Sequence, residues 1–163
     1  MMGTIMNLLR SISNQLRRFV QVGGRRRALL VEALSWLLLA RLSLIIIPFR
    51  HVGRYLGTFV RASDRRVVEG QSDRSWTETQ LAAEIGWAVT RAARYAPFRA
   101  VCLPQAMAAR FMLKRRGVES VLHLGVRKGI DKPFEAHAWL DAAGVQVTGY
   151  PESIAFTEIA RVV

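Results

Sequence analysis

Apolar residues recur at helical spacing from the start of the chain. Ile5, Leu8, Leu9, Ile12, Leu16, Phe19 and Val20 alternate with polar groups over residues 1–22, and Gly23-Gly24 supplies a stop. From Arg25 to Ile47 the pattern stays helical but is apolar on most sides, and Pro48 closes it. A helix of that kind belongs inside a core or against a partner. Residues 50–75 are polar and arginine-rich, with Gly53, Gly57 and Gly70, and read as a short basic helix followed by a loop. Ser75 with Glu78 fits a capping box. It opens a helix that carries Leu81, Ile85, Trp87, Ala88 and Ala92 to about Tyr95, before Pro97 ends it.

The next stretch is better punctuated. Pro104 suits the first turn of a helix, and Ala and Met favour the helix beyond it. Lys114, Arg115 and Arg116 suit a last turn, with Gly117 at the stop. The period then changes from helical to two. Strands are expected at Ser120–Val126, Phe134–Leu140 and Val145–Thr148, with a hairpin turn over 141–144 and a short helix in the tail from Ile154. Helices followed by an antiparallel meander make the class α+β. The expected division is an N-terminal helical arm (1–24), a Leu/Arg-rich helical region (25–75) and a core (76–163).

Charge changes the picture of the N-terminal half. Residues 1–70 carry 12 Lys and Arg against 3 acids, and residues 71–163 carry 12 against 9. Such a surface attracts nucleic acid, an anionic membrane face or an acidic partner, and the field alone does not choose among them. No recognisable nucleic-acid-reading motif or interleaved aromatics accompany the arginines. The apolar stretch Ala28–Phe49 is interrupted by Glu32 and Arg41, leaving blocks well short of the ~20 residues of a spanning helix. It reads as a buried helix or a membrane-surface contact. The single cysteine forbids an internal disulfide, and one Cys with three scattered His offers no zinc-type ligand set. No cofactor is expected.

Cys102 falls one or two residues before a helix expected to begin near Pro104. Unpaired backbone N–H groups there favour a thiolate and can bind an oxyanion. The candidate bases are His51, His123 and His137. His51 stands beside Arg50 as an exposed group, whereas His123 and His137 lie in strands. Small alanines flank His137 and leave room for another element, so it is favoured, with His123 open.

The segments Cys102-Leu103-Pro104-Gln105-Ala106, Leu122-His123-Leu124-Gly125-Val126 and Ala136-His137-Ala138-Trp139-Leu140 resemble the transglutaminase-like (papain-like) cysteine peptidase domain of lasso-peptide B2 proteins. The upstream arginine run, the Leu-rich helix and Leu44-Ile45-Ile46-Ile47-Pro48-Phe49-Arg50 extend the likeness over roughly residues 25–150. The resemblance implies a Cys102–His137 pair completed by an orienting acid from the strand after the His strand. Folding the hairpin about Ala142-Ala143 puts Gly149 opposite His137, where no carboxylate exists. Asp141 and Glu152 are the remaining candidates, and a backbone carbonyl or water is the alternative. Gln105 is a candidate oxyanion donor.

By the same resemblance, the substrate is a ribosomal precursor cut between leader and core. The partners would be its leader peptide, a separate leader-binding B1 protein and an ATP-using lasso cyclase. Residues before Arg25 are too few for a fused leader-binding module. The expected location is the cytoplasm or the inner-membrane periphery, with no nucleic acid. The alternatives are an acyl transferase or amidase of the same fold, and a basic nucleic-acid- or membrane-binding accessory protein.

Overall fold

The computed structural model describes residues 23–48, 51, 56–61, 75–129 and 132–163. The helix expected over 1–22 and most of the segment 50–75 lie outside them. Three helices are seen: α1 (Gly24–Ile46), α2 (Trp76–Tyr95) and α3 (Cys102–Lys114). Five strands form one antiparallel sheet: β1 (Phe59–Arg61), β2 (Val121–Lys128), β3 (Phe134–Ala142), β4 (Val145–Thr148) and β5 (Thr157–Val162). Their order is β1-β5-β2-β3-β4.

Local signals account for most of this. The Ser75 hydroxyl accepts from the Glu78 N–H and the Glu78 carboxylate accepts from the Ser75 N–H, so both halves of the capping box form. The hairpin between β3 and β4 turns at Ala143 (φ 45°) and Gly144 (φ 76°), the pair of positive angles that a two-residue turn of primed type requires. Gly117, at φ 72°, lets the chain leave α3 toward β2.

Three expectations are corrected. β1 (Phe59–Arg61) is a strand within the stretch 50–75 expected as a helix and a loop, held there by pairing with β5. α3 begins at Cys102 itself, with Val101 as its extended N-cap, so Pro104 is the third helical residue. Proline is tolerated there because the N–H groups of a first turn have no helical partner. The tail is not a helix beyond one short 3₁₀ turn at Glu152–Ala155; it continues as β5, inserted between β1 and β2.

The helices cover one face of the sheet. Leu122, Ala138, Leu140, Ala142 and Val162 join Leu37, Ile85, Val89 and Met112 in a single apolar cluster. Close packing of α2 on β4 depends on Gly86, where a Cβ would stand 2.7 Å from the Val147 carbonyl oxygen. Arg110 is only 8% exposed and donates to the carbonyls of Leu56, Ser120 and Val162. Its guanidinium thus ties α3 to the segment before β1, the approach to β2 and the end of β5. α1 joins the rest through Leu29, Ala33, Leu37 and Ala40, a Trp36–Phe111 stack, and Glu32 paired with Arg115 and Arg116. Those two arginines hold the Glu32 carboxyl below its ordinary range against its partial burial, the Arg116 hydrogen bond foremost.

Candidate active site

α3 reverses into β2 within six residues, so its start lies toward the far end of β2, where β3 begins. Arg110 marks the level of Val162, which pairs with Leu122. Cys102 is eight residues earlier, about 12 Å back along the helix. On the sheet, Leu122 pairs with Leu140, and His137 stands three residues before it, about 10 Å away. By this reckoning Cys102 and His137 stand at one height along the sheet. His137 shares its side of β3 with Trp139 and Asp141, however, opposite the core residues that face the helices, and among the described residues no hydrogen bond joins the thiol to the imidazole.

Cys102 is half-buried and packs against the core. Of the first-turn donors, Pro104 has no N–H, and the Gln105 N–H is taken by the Val101 carbonyl at 3.2 Å. The N–H groups of Cys102 and Leu103 are left to face an anion beside the sulfur. The Gln105 side chain commits an amide hydrogen to the Ala100 carbonyl at 2.7 Å, fixing the loop before the helix.

His137 is half-buried on β3. Its Nε2 lies 2.8 Å from the Gly149 carbonyl oxygen. A carbonyl only accepts, so Nε2 carries the proton, and in the neutral ring Nδ1 holds the lone pair. The ring stacks on Phe156 (4.9 Å between centroids) and lies near Trp139 (6.1 Å). Among the described residues the imidazole makes that one hydrogen bond. Gly149 sits at φ 86°, and a Cβ there would approach the Ala138 carbonyl oxygen and Trp139 Cβ to 2.6 Å. Only glycine lets this main chain come close enough to orient the ring.

Asp141, Trp139 and His137 alternate along β3 with the core residues Ala138, Leu140 and Ala142, and His123 and Gly125 stand opposite on β2. Asp141 is strand, not turn, and its partners are Tyr150 and His123 rather than His137. The Tyr150 hydroxyl donates to Asp141 Oδ1 at 2.6 Å, and His123 Nε2 lies 3.3 Å from Oδ2 at ion-pair distance. His123 Nδ1 pairs with Glu158, which Arg161 grips through two nitrogens. Trp139 stacks flat on His123 at 5.5 Å and reaches over Gly125, where a Cβ would meet its ring at 2.7 Å. Burial opposes the charge on His123, but the two carboxylates outweigh it and its pKa is raised. Burial and Asp141 push the Tyr150 phenol far up, so it remains a donor.

Glu152 is exposed in the 3₁₀ turn, and His51 is half-buried with its N–H on the Pro48 carbonyl. The sequence reading missed Glu158, Arg161 and Tyr150. The Glu158 carboxylate and Arg161 guanidinium join His123 only once β5 pairs with β2, and the Tyr150 phenol meets Asp141 across the end of the β3–β4 hairpin; no local spacing marks either.

The profile of the transglutaminase-like superfamily matches residues 44–161, more than two thirds of the chain. No curated protein and no solved structure matches it.

Proposed function

We propose that this chain, which belongs to the transglutaminase-like superfamily, is a cysteine peptidase that removes the leader from a ribosomally made lasso-type precursor. Superfamily members are typically Cys–His enzymes, which makes cysteine-dependent peptidase or acyl-transfer chemistry the general reading. The finer reading draws on the motifs around Cys102, His123 and His137 and on the arginine-rich, Leu-rich region upstream.

One observation carries it. Cys102 opens a helix with two unspent N–H groups, while His137 is held by its Nε2 on the Gly149 carbonyl with Nδ1 left as the acceptor. Nδ1 takes the thiol proton and the thiolate attacks the scissile carbonyl carbon. The oxyanion settles against the Cys102 and Leu103 N–H groups. As the tetrahedral intermediate collapses, the C–N bond breaks and His137 returns the proton to the departing amine. Water, deprotonated by the same nitrogen, then cleaves the thioester and regenerates the thiol. The Gly149 carbonyl keeps the ring oriented throughout, in the place of the acid that the family pattern leads one to expect.

In this reading the substrate is the leader-bearing precursor, presented by a separate leader-binding B1 protein in the cytoplasm, and the lasso cyclase consumes the freed core. The test is mass spectrometry of a precursor encoded beside this protein, incubated with it and the neighbouring leader-binding protein. Wild type should release a free core with one water added, and Cys102→Ala and His137→Ala should release none. A new amide in place of hydrolysis would move the reading to acyl transfer. Cleavage indifferent to Cys102 would overturn it.

A further inference from the structure

The outer face of α1 is unlike any other surface described here. At 100° per residue, Leu34, Leu38, Leu42 and Ile45 fall on one arc, flanked by Leu39 and Ile46. All six are between 40% and 73% exposed. Ser35 is the one polar residue within that arc, and its hydroxyl is spent on the Val31 carbonyl at 3.0 Å. The face asks nothing of water over about four turns. Exposed apolar surface so continuous marks a site of association.

By length and composition alone α1 could cross a membrane. Its other face argues against that. Leu29, Ala33, Leu37 and Ala40 are buried in the core, Trp36 stacks on Phe111, and Glu32 pairs with two arginines of the α3 end. Spanning would strip all of these away.

We propose that α1 seats the protein on the surface of an anionic bilayer, its outer arc sunk among the acyl chains and its inner face kept in the domain. Charge selects this occupant. Residues 1–50 hold eight arginines and one acid, and that acid, Glu32, is turned inward and neutralised by Arg115 and Arg116. Among the described residues 23–48, then, every charge not turned onto the domain is an arginine's. Arg41 falls at the margin of the arc, and Arg27 stands two turns before Leu34 at the arc's N-terminal end, both where a headgroup phosphate would lie. The inference does not depend on the reaction proposed above.

The test is sedimentation of the full chain with vesicles of equimolar phosphatidylcholine and phosphatidylglycerol, and with phosphatidylcholine alone. Wild type should bind the anionic vesicles at least about tenfold more tightly than the neutral ones. The triple variant Leu38→Asn/Leu42→Asn/Ile45→Asn alters exposed positions only; with unchanged circular dichroism it should lose about tenfold or more of that binding. Arg27→Gln/Arg41→Gln should lose binding more at low salt than at about 0.5 M. Three results would overturn the inference. Wild type stays in the supernatant, or the triple variant binds as wild type does. In the third, wild type weighs as a dimer that the triple variant dissolves, which would assign the face to a second copy.

Discussion

Consider Gly149→Ala. At φ 86° an L side chain is strained, at roughly 1–3 kcal/mol. Its Cβ would also be driven to 2.6 Å from both the Ala138 carbonyl oxygen and Trp139 Cβ. Those atoms belong to main chain or its root and cannot swing aside, so overpacking adds about 1–3 kcal/mol more. The sum, about 2–6 kcal/mol, moves a urea midpoint by roughly 1–3 M at a slope near 2 kcal/mol/M. Relief of the clash pulls the Gly149 carbonyl away from His137 Nε2. The ring then loses a bond worth about 0.5–1.5 kcal/mol, a two- to tenfold slowing of any step that needs it oriented. Cys102 is the only cysteine, so alkylation by iodoacetamide reports its thiolate without a known substrate. Gly149→Ala should unfold earlier in urea and, in the folded range, alkylate Cys102 more slowly near neutral pH. His137→Ala should slow alkylation at least as much with little change in midpoint. Unfolding and alkylation both indistinguishable from wild type would refute the argument that the carbonyl is held in place by the missing side chain.

Three further outcomes follow from the same geometry. Arg110→Met leaves three buried carbonyls without a donor and should cost about 3 kcal/mol or more by urea denaturation, while a surface control such as Arg127→Met costs under about 1 kcal/mol. The raised pKa of His123 means its contribution to stability is complete below 6.5 and is lost as pH rises through the folded value; the Glu158 carboxyl, held below 4.5 by Arg161 and His123 against burial, contributes above 4.5 and is lost as pH falls through its own folded value. The urea midpoint should therefore fall as pH rises above 6.5, and His123→Gln should flatten that limb, an equally steep fall in the variant speaking against the network. Tyr150→Phe removes the hydrogen bond that anchors the neighbour of Gly149 to Asp141, and should slow Cys102 alkylation about two- to tenfold with a midpoint shift under about 1 M, a wild-type rate being the contrary result.

What the sequence made legible is what local chemistry encodes. Ser75 and Glu78 announce the start of α2, and Lys114 and Gly117 the end of α3. A turn was legible between β3 and β4, though it closes at Ala143-Gly144, two residues past the expected start at Asp141. β5 was hidden because Thr157–Val162 is short and earns its place only by pairing with β2, some 35 residues earlier in the chain. The same distance concealed the Glu158 and Arg161 half of the His123 network. At the site, Cys102 and His137 are visible as side chains with known chemistry. The partner of His137 is a peptide oxygen, which no letter of the sequence specifies. Counting about Ala142-Ala143 set Gly149 opposite His137, whereas the turn is made one step later and Leu140 pairs with Thr148. Gly149 therefore lies beside Trp139, and its carbonyl reaches the His137 ring across the strand.

An orienting group made of main chain has no proton to gain, so acid that would silence a carboxylate leaves it unaltered. Nor can it be deleted by trimming a side chain. If the proposed reaction holds, an alanine scan would report Cys102 and His137 as indispensable and an empty third position, except at Gly149, where adding one carbon does the damage. Variation along this lineage can therefore reach the third member only by reshaping the strand end, and engineering that seeks to tune the base has to move a loop instead of exchanging a residue.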